Sequence, residues 1–474
     1  MRKARVGLLL LATERFRTIG AGTPRGTYAA RKEREAEKMR ADLSSAYDLV
    51  DPGLVWDRDA DGIRAAIDLF VREKVDCILE MPVSWGEDCA HVRFLRDMPP
   101  CPVLFCQKVA DKVGLGDTHD EDEFAAYLGH GTLVGSLQAS GSNADYARPM
   151  FRTFLGTWDE IRARLGPFAN AARARTVLKD AKVGLLASMN ELMWSTYVNP
   201  ADVFRTIGPE MQFLSVAELA DEVGRVTEDE AHATMRTIAE GRETLSGVEE
   251  APFVASVRAT LAMERLAKRR GLDLLVLNDA DPVLLGKIGL RPGFYPTPGA
   301  GELVVTPEGD VGAGLATYAL KLLAGGHVNF IEPFHIDRES GNFAAGHAGP
   351  NDYTDPRGRV RISRDVRFAK TKYRWAGAPF AWYVFPPGEK TMLGCSFRNG
   401  AFRFTSARLE CLETEHFLAT YSHALFRFAS GDGSALFAPI LAEGATQHFA
   451  IADGDATAAV ADLAFLLGVE ISAY

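Results

Sequence analysis

The chain alternates short, continuously apolar segments with longer amphipathic ones through its first 345 residues. Arg5–Ala12, Val75–Leu79 and Leu272–Leu277 have the unbroken apolar character of strands that are covered on both faces. The intervening segments, such as Ile63–Lys74 and Ala251–Arg270, have the spacing of amphipathic helices. Because alternating strands and helices build parallel sheets, the pattern predicts two doubly wound α/β domains of the Rossmann or flavodoxin type.

Beyond residue 345 the pattern changes to short β segments. Thr391–Phe397 and Ala401–Ser406 flank Asn399-Gly400, which is a strong hairpin signal. Helices are expected only around Glu413–Ala429 and Thr457–Leu467. A chain of 474 residues is expected to form two or three domains. We predict an N-terminal α/β domain over 1–175, a central α/β domain that carries a carboxylate pair over 176–345, and a β-rich, barrel-like C-terminal domain over 346–474.

Composition limits the classes of protein to which the chain can belong. The formal net charge of −10 argues against nucleic acid as the main partner. No apolar run approaches the roughly 20 residues that span a bilayer, so no membrane partner is expected. The run Val6–Leu11 is too short for a secretion signal and charge returns at Glu14, which predicts a cytoplasmic location. The six cysteines form no CxxC pair and are interpreted as reduced core residues.

Two carboxylates, Glu308 and Glu332, each stand where a short buried strand is predicted to end. The strands are Glu302–Val305 and His327–Ile331, and one helical crossover joins them. Because the order is strand, helix and parallel strand, both carboxylates are expected at the carboxyl edge of one sheet, where open α/β sheets bind ligands. The competing interpretation is an acid favoured by a helix dipole together with an ordinary loop acid.

The crossover helix is predicted to begin with Thr306 as its N-cap and Pro307 at the first helical position. It would end before Gly325-Gly326. Asp310 is interpreted as a second acid favoured by the helix start. Pro333 is predicted to stop the strand that follows the helix.

Two histidines farther along the chain, His347 and His448, lie in turn-like contexts of glycine and polar residues. A site of carboxylate oxygens with one or two imidazoles suits Mn²⁺ or a similar divalent ion. Two carboxylates near one metal ion also suit proton transfer beside a carbonyl group. The alternative for each histidine is an ordinary structural role.

These residues resemble the L-fucose isomerase and L-arabinose isomerase superfamily. Each matching motif is short, so the specificity lies in the ordered set, which extends along nearly the whole chain. The motifs are Met81-Pro82-Val83-Ser84-Trp85-Gly86-Glu87, Pro307-Glu308-Gly309-Asp310-Val311-Gly312-Ala313, Phe330-Ile331-Glu332-Pro333, Gly346-His347-Ala348-Gly349, and Gln447-His448-Phe449-Ala450 followed by Asp453-Gly454-Asp455.

The resemblance implies an enzyme that interconverts aldoses and ketoses with Mn²⁺, or with another divalent cation such as Co²⁺ or Mg²⁺. It implies that Glu308 and Glu332 are metal ligands with acid–base roles, and that His448 and His347 are further ligands, the latter in the arabinose branch. Trp85 matches a tryptophan that the fucose branch contributes to a neighbouring subunit's active site. A homo-oligomer, hexamer or tetramer, with its active site at a subunit interface is therefore expected.

Two segments that would contact the sugar depart from the family pattern. Gln447, interpreted as a substrate-binding residue, replaces the asparagine of the fucose branch. The segment 13–17 after the first strand matches neither branch, which leaves the identity of the sugar open. One hypothesis is that an arginine cluster recognises a phosphorylated or sulfonated sugar, with Arg17 as a substrate-binding residue; the alternative is a solvated helix face. The cluster consists of Arg15, Arg17, Arg25 and Arg31.

The sequence therefore predicts a metal-dependent aldose–ketose isomerase that works through an enediolate. The first alternative is an isomerase of an anionic sugar, and the second is a non-catalytic cytoplasmic sugar-binding protein. A nucleotide-dependent oxidoreductase is disfavoured, because the glycine-rich stretch Gly20–Gly26 lacks the GxGxxG spacing and does not directly follow the first strand.

Overall fold

The structure, a computed structural model, describes residues 2–114, 116–288, 291–367 and 378–474. The chain divides into two compact units, an N-terminal unit over Met1–Thr176 and a C-terminal unit over Val177–Tyr474. The central parallel sheet and the β-rich region, predicted as separate domains, both lie in the C-terminal unit. Within the described ranges, no helix is both long enough and apolar enough to cross a membrane.

The N-terminal unit is built on one parallel sheet. Its strands are β1 (Arg5–Ala12), β2 (Asp48–Val50), β3 (Leu54–Trp56), β4 (Cys77–Pro82), β5 (Val103–Lys108) and β6 (Phe151–Gly156). The order is β2-β1-β4-β5-β6, and β3 also pairs with β1. The helices are α1 (Tyr28–Ser44), α2 (Ala60–Arg72), α3 (Cys89–Asp97), α4 (Glu121–His130), α5 (Thr132–Tyr146) and α6 (Trp158–Asp180).

Close packing between helix and sheet explains the apolar strands of this unit. Leu9, Phe70 and Ile78 belong to one core cluster and are fully buried. A Cβ atom on Gly7 would lie 2.9 Å from the Phe70 ring, so only glycine lets α2 approach β1 this closely. The strands read as continuous apolar runs because helices cover them.

The C-terminal unit begins with a second parallel sheet, ordered β11-β10-β7-β8. Its strands are β7 (Lys182–Leu186), β8 (Glu210–Leu214), β10 (Leu274–Leu277) and β11 (Val304–Thr306). The helices that accompany it are α7 (Pro200–Asp202), α8 (Val216–Arg225), α9 (Glu228–Ala239), α10 (Glu250–Arg270), α11 (Pro282–Ile288) and α12 (Val311–Ala324). Helix α12 packs against strands of both sheets of the unit.

The second sheet of this unit has ten strands, six of which close into an antiparallel ring. The ring runs β17-β16-β19-β12-β13-β18 and returns to β17. The strands are β9 (Glu243–Thr244), β12 (Val328–Ile336), β13 (Phe343–His347), β14 (Arg359–Arg364), β15 (Pro379–Val384), β16 (Gly388–Arg398), β17 (Ala401–Cys411), β18 (Ser422–Phe428), β19 (Phe449–Asp453) and β20 (Glu470–Ala473). Helices α13 (Gly433–Ala442) and α14 (Thr457–Leu467) complete the unit. The predicted fold class, parallel α/β sheets followed by a barrel, is confirmed.

The hairpin predicted around Asn399-Gly400 is present between β16 and β17. Both turn residues have positive φ, which is the type I′ arrangement that the Asn-Gly pair favours. The helix predicted over Glu413–Ala429 is wrong, because this segment contains β18. Alternating burial along β18 places Phe426 and Phe428 in the barrel core. Helix α13 was not predicted.

The prediction that both carboxylates lie at the edge of one sheet is wrong. After α12 the chain does not return to the parallel sheet; β12 pairs antiparallel with β13 and β19 instead. Pro333 does not end the strand but lies inside it, next to a shift in register with β13. The N-cap of α12 is Asp310, whose side chain accepts from Ala313 N, and not Thr306. Glu308 and Glu332 therefore come from different sheets.

Candidate metal and proton-transfer site

The turn between β11 and α12 presents the Glu308 side chain. Glu308 has φ +63°, which is unusual for a residue with a Cβ atom, and its amide donates to Asp279 Oδ1 at 3.0 Å. Gly309 follows at φ +70° and donates to Leu277 O at 3.1 Å. A Cβ atom on Gly309 would lie 2.8 Å from Ser188 O. The surrounding backbone therefore fixes a strained turn, which is common where a side chain must be aimed at a site.

Glu308, His347 and His448 converge on one point. Their donor atoms all lie within 4.8 Å of one another. Glu308 Oε1 is 3.7 Å from His347 Nε2, and Glu308 Oε2 is 3.4 Å from His448 Nε2. His347 ends β13 and His448 directly precedes β19, so barrel strands supply both imidazoles. Of the four metal ligands predicted from the sequence, these three form the tight group.

Glu332, the fourth predicted ligand, lies beside this group. Its Oε2 atom is 3.9 Å from His448 Nε2, and about a quarter of its side chain is exposed. It stands on β12 opposite Gly346 of β13, one residue before His347. Strand pairing in the barrel, and not a shared parallel sheet, brings Glu332 to the site.

Hydrogen bonds at the far side of each ring orient both imidazoles. His448 Nδ1 lies 2.9 Å from Asp310 Oδ2, and His347 Nδ1 lies 2.6 Å from Ala348 O. A carbonyl or carboxylate oxygen only accepts, so each Nδ1 donates its proton, and Nε2 is the nitrogen of each ring that faces Glu308. Among the described residues, both Nε2 atoms are buried and have no hydrogen-bond partner. A metal-binding histidine is usually held in this way, with the second nitrogen bonded to an oxygen.

The electrostatics of the site couple Glu308 to the imidazoles. Burial acts to raise the pKa of Glu308, but the imidazoles of His347 and His448 outweigh burial and hold this pKa well below its usual range. Burial acts to lower the pKa of His448, but the carboxylates of Asp310 and Glu308 raise it to about 10. Without a metal ion the cluster holds a proton that a divalent cation would displace.

A buried ion pair joins the Glu308 turn to the His347 strand. Asp279 accepts from Glu308 N and from the Arg291 guanidinium. Arg291 Nη2 donates to Ala348 O at 3.0 Å, the same oxygen that His347 Nδ1 contacts. Asp279 and Arg291 are both buried. The sequence analysis missed both residues, although Asp279 shares the signal used for Glu308, a carboxylate just beyond an apolar strand.

Phe330 forms an apolar wall behind the imidazoles. Its ring centroid lies 4.8 Å from the centroids of both His347 and His448. Asn351 fixes the backbone of Phe330, because its Oδ1 accepts from Phe330 N at 3.1 Å and its Nδ2 donates to Phe330 O at 2.9 Å. The wall limits access of water to the buried side of the site.

The three predicted substrate-binding residues lie outside this group. Gln447 is exposed, and its Nε2 contacts Met193 Sδ at 2.9 Å. Trp85 and Arg17 belong to the N-terminal unit. Trp85 packs on Phe16 with centroids 5.2 Å apart, and the Arg17 guanidinium lies 4.7 Å from the centre of the Trp56 ring. Their predicted roles stay predictions.

Comparison with known proteins adds an activity class. No family model matches the sequence. Two curated relatives are each named sulfoquinovose isomerase, one from Priestia aryabhattai and one from Priestia megaterium, and each is 21% identical to this chain over 427 residues. The matched region covers 87% of this chain and 88% of each relative. A solved structure from Mycobacterium smegmatis is 14% identical and covers 60% of this chain and 76% of its own, but its TM-score of 0.15 carries no argument. The full-length matches indicate that this protein is an isomerase of carbohydrate metabolism.

Proposed function

We propose that this protein is a metal-dependent aldose–ketose isomerase whose site is formed by Glu308, Glu332, His347 and His448. The observation that carries the proposal is the pair of buried, partnerless Nε2 atoms that face the Glu308 carboxylate. A buried polar atom without a partner is costly unless something binds it, and a divalent cation suits two imidazoles beside a carboxylate.

The residues present fit a divalent ion such as Mn²⁺, with Co²⁺ or Mg²⁺ as alternatives. Glu308, His347 and His448 would hold it, and Glu332 is close enough to His448 to add a fourth ligand. A bound ion would act as a Lewis acid towards the two adjacent sugar oxygens. Asp310 and Ala348 O accept from the two Nδ1 atoms, so Nε2 is the nitrogen of each ring that is left to bind the ion once its proton is displaced.

The two carboxylates supply the proton transfer. An aldose becomes a ketose when the proton on C2 is removed and a proton is delivered to C1, while the hydroxyl proton on O2 is lost and O1 gains one. One carboxylate accepts the first proton, and the same or the second carboxylate delivers the other. Glu308 contacts both imidazoles and has a low pKa, which suits a permanent ligand. Glu332 is exposed to the same extent but lies farther from His448, at 3.9 Å, which suits a group that exchanges protons. We therefore assign proton transfer chiefly to Glu332.

For the substrate we propose a sulfonated aldose. The two relatives are named for sulfoquinovose, and the match covers almost their whole length. This agrees with the anionic-sugar alternative raised by the unmatched segment after β1. Neutral aldoses such as L-fucose and L-arabinose are the competing substrates that the family resemblance suggests.

The proposal is tested with the purified full chain, dialysed against chelator and then supplied with Mn²⁺. Sulfoquinovose, L-fucose and L-arabinose are offered in D₂O, and the ketose is analysed by NMR. We expect ketose from the sulfonated sugar only after Mn²⁺ is added, with deuterium at C1. Turnover that ignores the chelator would overturn the metal assignment. A product without deuterium would contradict transfer by a carboxylate that exchanges its proton with solvent, which is the role proposed for Glu332.

A further inference from the structure

The N-terminal unit contains a cavity of about 430 Å³ between α1 and α4, and five of its twelve lining residues are arginine or lysine. We refer to it as the cationic cavity. The charged side chains that line it are Arg25, Arg31, Lys32, Arg34, Glu35 and Lys108. Such a concentration of positive charge is unexpected in a chain with a net charge of −10. Its volume is that of a pocket for a small organic molecule.

A single carboxylate bridges the two lysines of the cavity. Glu35 Oε2 accepts from Lys32 Nζ at 2.7 Å, and Glu35 Oε1 accepts from Lys108 Nζ. Lys32 also donates to Gly129 O at 3.1 Å and is only 5% exposed. Each ammonium group has three N–H donors, so Lys32 keeps one donor and Lys108 keeps two. The single Glu35 carboxylate therefore faces two lysine ammonium groups, and these retain N–H donors that could bind a second anion.

The arginines of the cavity add to this excess. Arg25 and Arg31 share Asp122, and Arg25 also pairs with Glu123. Arg34 donates to the carbonyl oxygen of Arg25 at 2.8 Å and makes no ion pair within the described part of the chain. Even when the acids that hold these arginines are included, the cations outnumber the carboxylates. Lys32 is buried and the Lys108 side chain is 31% exposed, whereas Arg25 and Arg34 are exposed. A cation excess that is partly sheltered in a cavity favours an anion.

We propose that the cationic cavity binds the sulfonate or phosphate group of a small sugar derivative. The charges of Lys32, Lys108 and Arg34 predict that the ligand is an anion. Only the attachment of that anion to a sugar rests on the proposed function. The buried ring of Tyr28 lies behind the cations, with its centroid 6.0 Å from Lys32 Nζ. This assigns anion recognition mainly to lysines that the sequence analysis did not select, and not to Arg15 or Arg17.

Two sources of such an anion are chemically equivalent, namely the substrate and a separate effector. The geometry of the N-terminal unit suits both, because each would place three acceptor oxygens among the spare donors. Kinetics separates the two. A higher KM for the sulfonated aldose in a cavity variant assigns the cavity to the substrate, and an unchanged KM with lost inhibition or activation by sugar phosphates assigns it to an effector.

The test measures binding and not turnover. Isothermal titration calorimetry on the full chain in chelator uses sulfoquinovose, glucose 6-phosphate, inorganic sulfate and glucose. Lys108→Gln and Arg34→Gln each remove one cation from the wall. Lys38→Gln makes the same charge change on an exposed position of α1 that does not line the cavity. Circular dichroism and thermal melting show that each variant is folded.

We expect both anionic sugars to bind to the wild type and to Lys38→Gln, and glucose not to bind. Each cavity variant should weaken anion binding about tenfold, as the loss of one charged hydrogen bond would. Equal affinity in folded Lys108→Gln and Arg34→Gln, or equal binding of glucose, would overturn the proposal. Because binding is measured in chelator, a protein that binds the anionic sugars but shows no isomerase activity after Mn²⁺ is restored would refute the proposed function and leave this inference standing.

Discussion

Replacing Asp310 by asparagine should damage the site without damaging the fold. Oδ1 of Asp310 caps α12 by accepting from Ala313 N at 3.0 Å, and Oδ2 accepts from His448 Nδ1 at 2.9 Å. Asparagine is as good an N-cap as aspartate, so the helix start should survive. Its amide nitrogen is a donor and cannot accept from Nδ1–H. Nδ1–H of His448 then loses its acceptor, and the ring, once neutral, should carry its proton on Nε2, the nitrogen that faces Glu308.

The expected loss of metal affinity can be estimated because Asp310 orients His448, a proposed metal ligand. Losing the oxygen that orients a metal-binding histidine typically costs 10–100-fold in metal affinity, or about 1.4 to 2.7 kcal/mol. The hydrogen bond to Asp310 is also the main cause that opposes burial and raises the pKa of His448 to about 10. In Asp310→Asn this pKa should fall, because burial then dominates.

The assay titrates Mn²⁺ into the wild type and the Asp310→Asn variant by calorimetry, and follows His448 by NMR in the metal-free proteins. Asp59→Asn is the matched control, because Asp59 caps α2 through Gly62 N and has no imidazole partner. Thermal melting should place both variants close to the wild type. Unchanged Mn²⁺ affinity together with an unchanged His448 pKa in Asp310→Asn would refute the reasoning.

Three further changes test other parts of the structure. Glu308→Gln and Glu332→Gln should each lower kcat by at least about a hundredfold, since the first removes the charge of a proposed metal ligand and the second removes the main proton-transfer group, and near-normal turnover in either would reject that role. Burial raises the pKa of Glu264 to about 7 from 4.5, so its ionisation destabilises the fold progressively from about pH 4.5 to 7. Urea unfolding should therefore show Glu264→Gln gaining up to about 3 kcal/mol over the wild type at pH 8 and little at pH 4; a pH-independent difference would contradict this. Gly309→Ala should lower stability by about 1–3 kcal/mol, because its φ and the nearby Ser188 O exclude a Cβ atom, and an unchanged melting temperature would show that the turn can relax.

Local patterns were sufficient to predict most of the elements. The strand over Arg5–Ala12 was predicted with the bounds that the structure shows, because a continuous apolar run followed by helices has few alternatives. The Asn399-Gly400 hairpin depends on two residues that favour positive φ, and the structure contains it. The strand and the hairpin are determined by residues that are adjacent in the sequence.

The position of β12 could not be predicted in this way. A strand, a helix and a second strand look alike whether the second strand joins the first sheet or another one. The outcome depends on pairing with β13 and β19, the latter more than 100 residues away along the chain. The hydrogen bonds that orient the site residues also depend on residues far apart in sequence. His448 and Asp310 are 138 residues apart in sequence, and no local pattern marks Asp310 as the partner of an imidazole.

Glu308 comes from the parallel sheet, whereas His347, His448 and Glu332 come from the barrel. A single ion held by these side chains would cross-link the two sheets of the C-terminal unit at the point where α12 begins. Metal binding would then also stabilise the contact between these two sheets. Metal binding to the native site would stabilise the joined sheets by an amount that rises with the logarithm of the free metal concentration above the Kd.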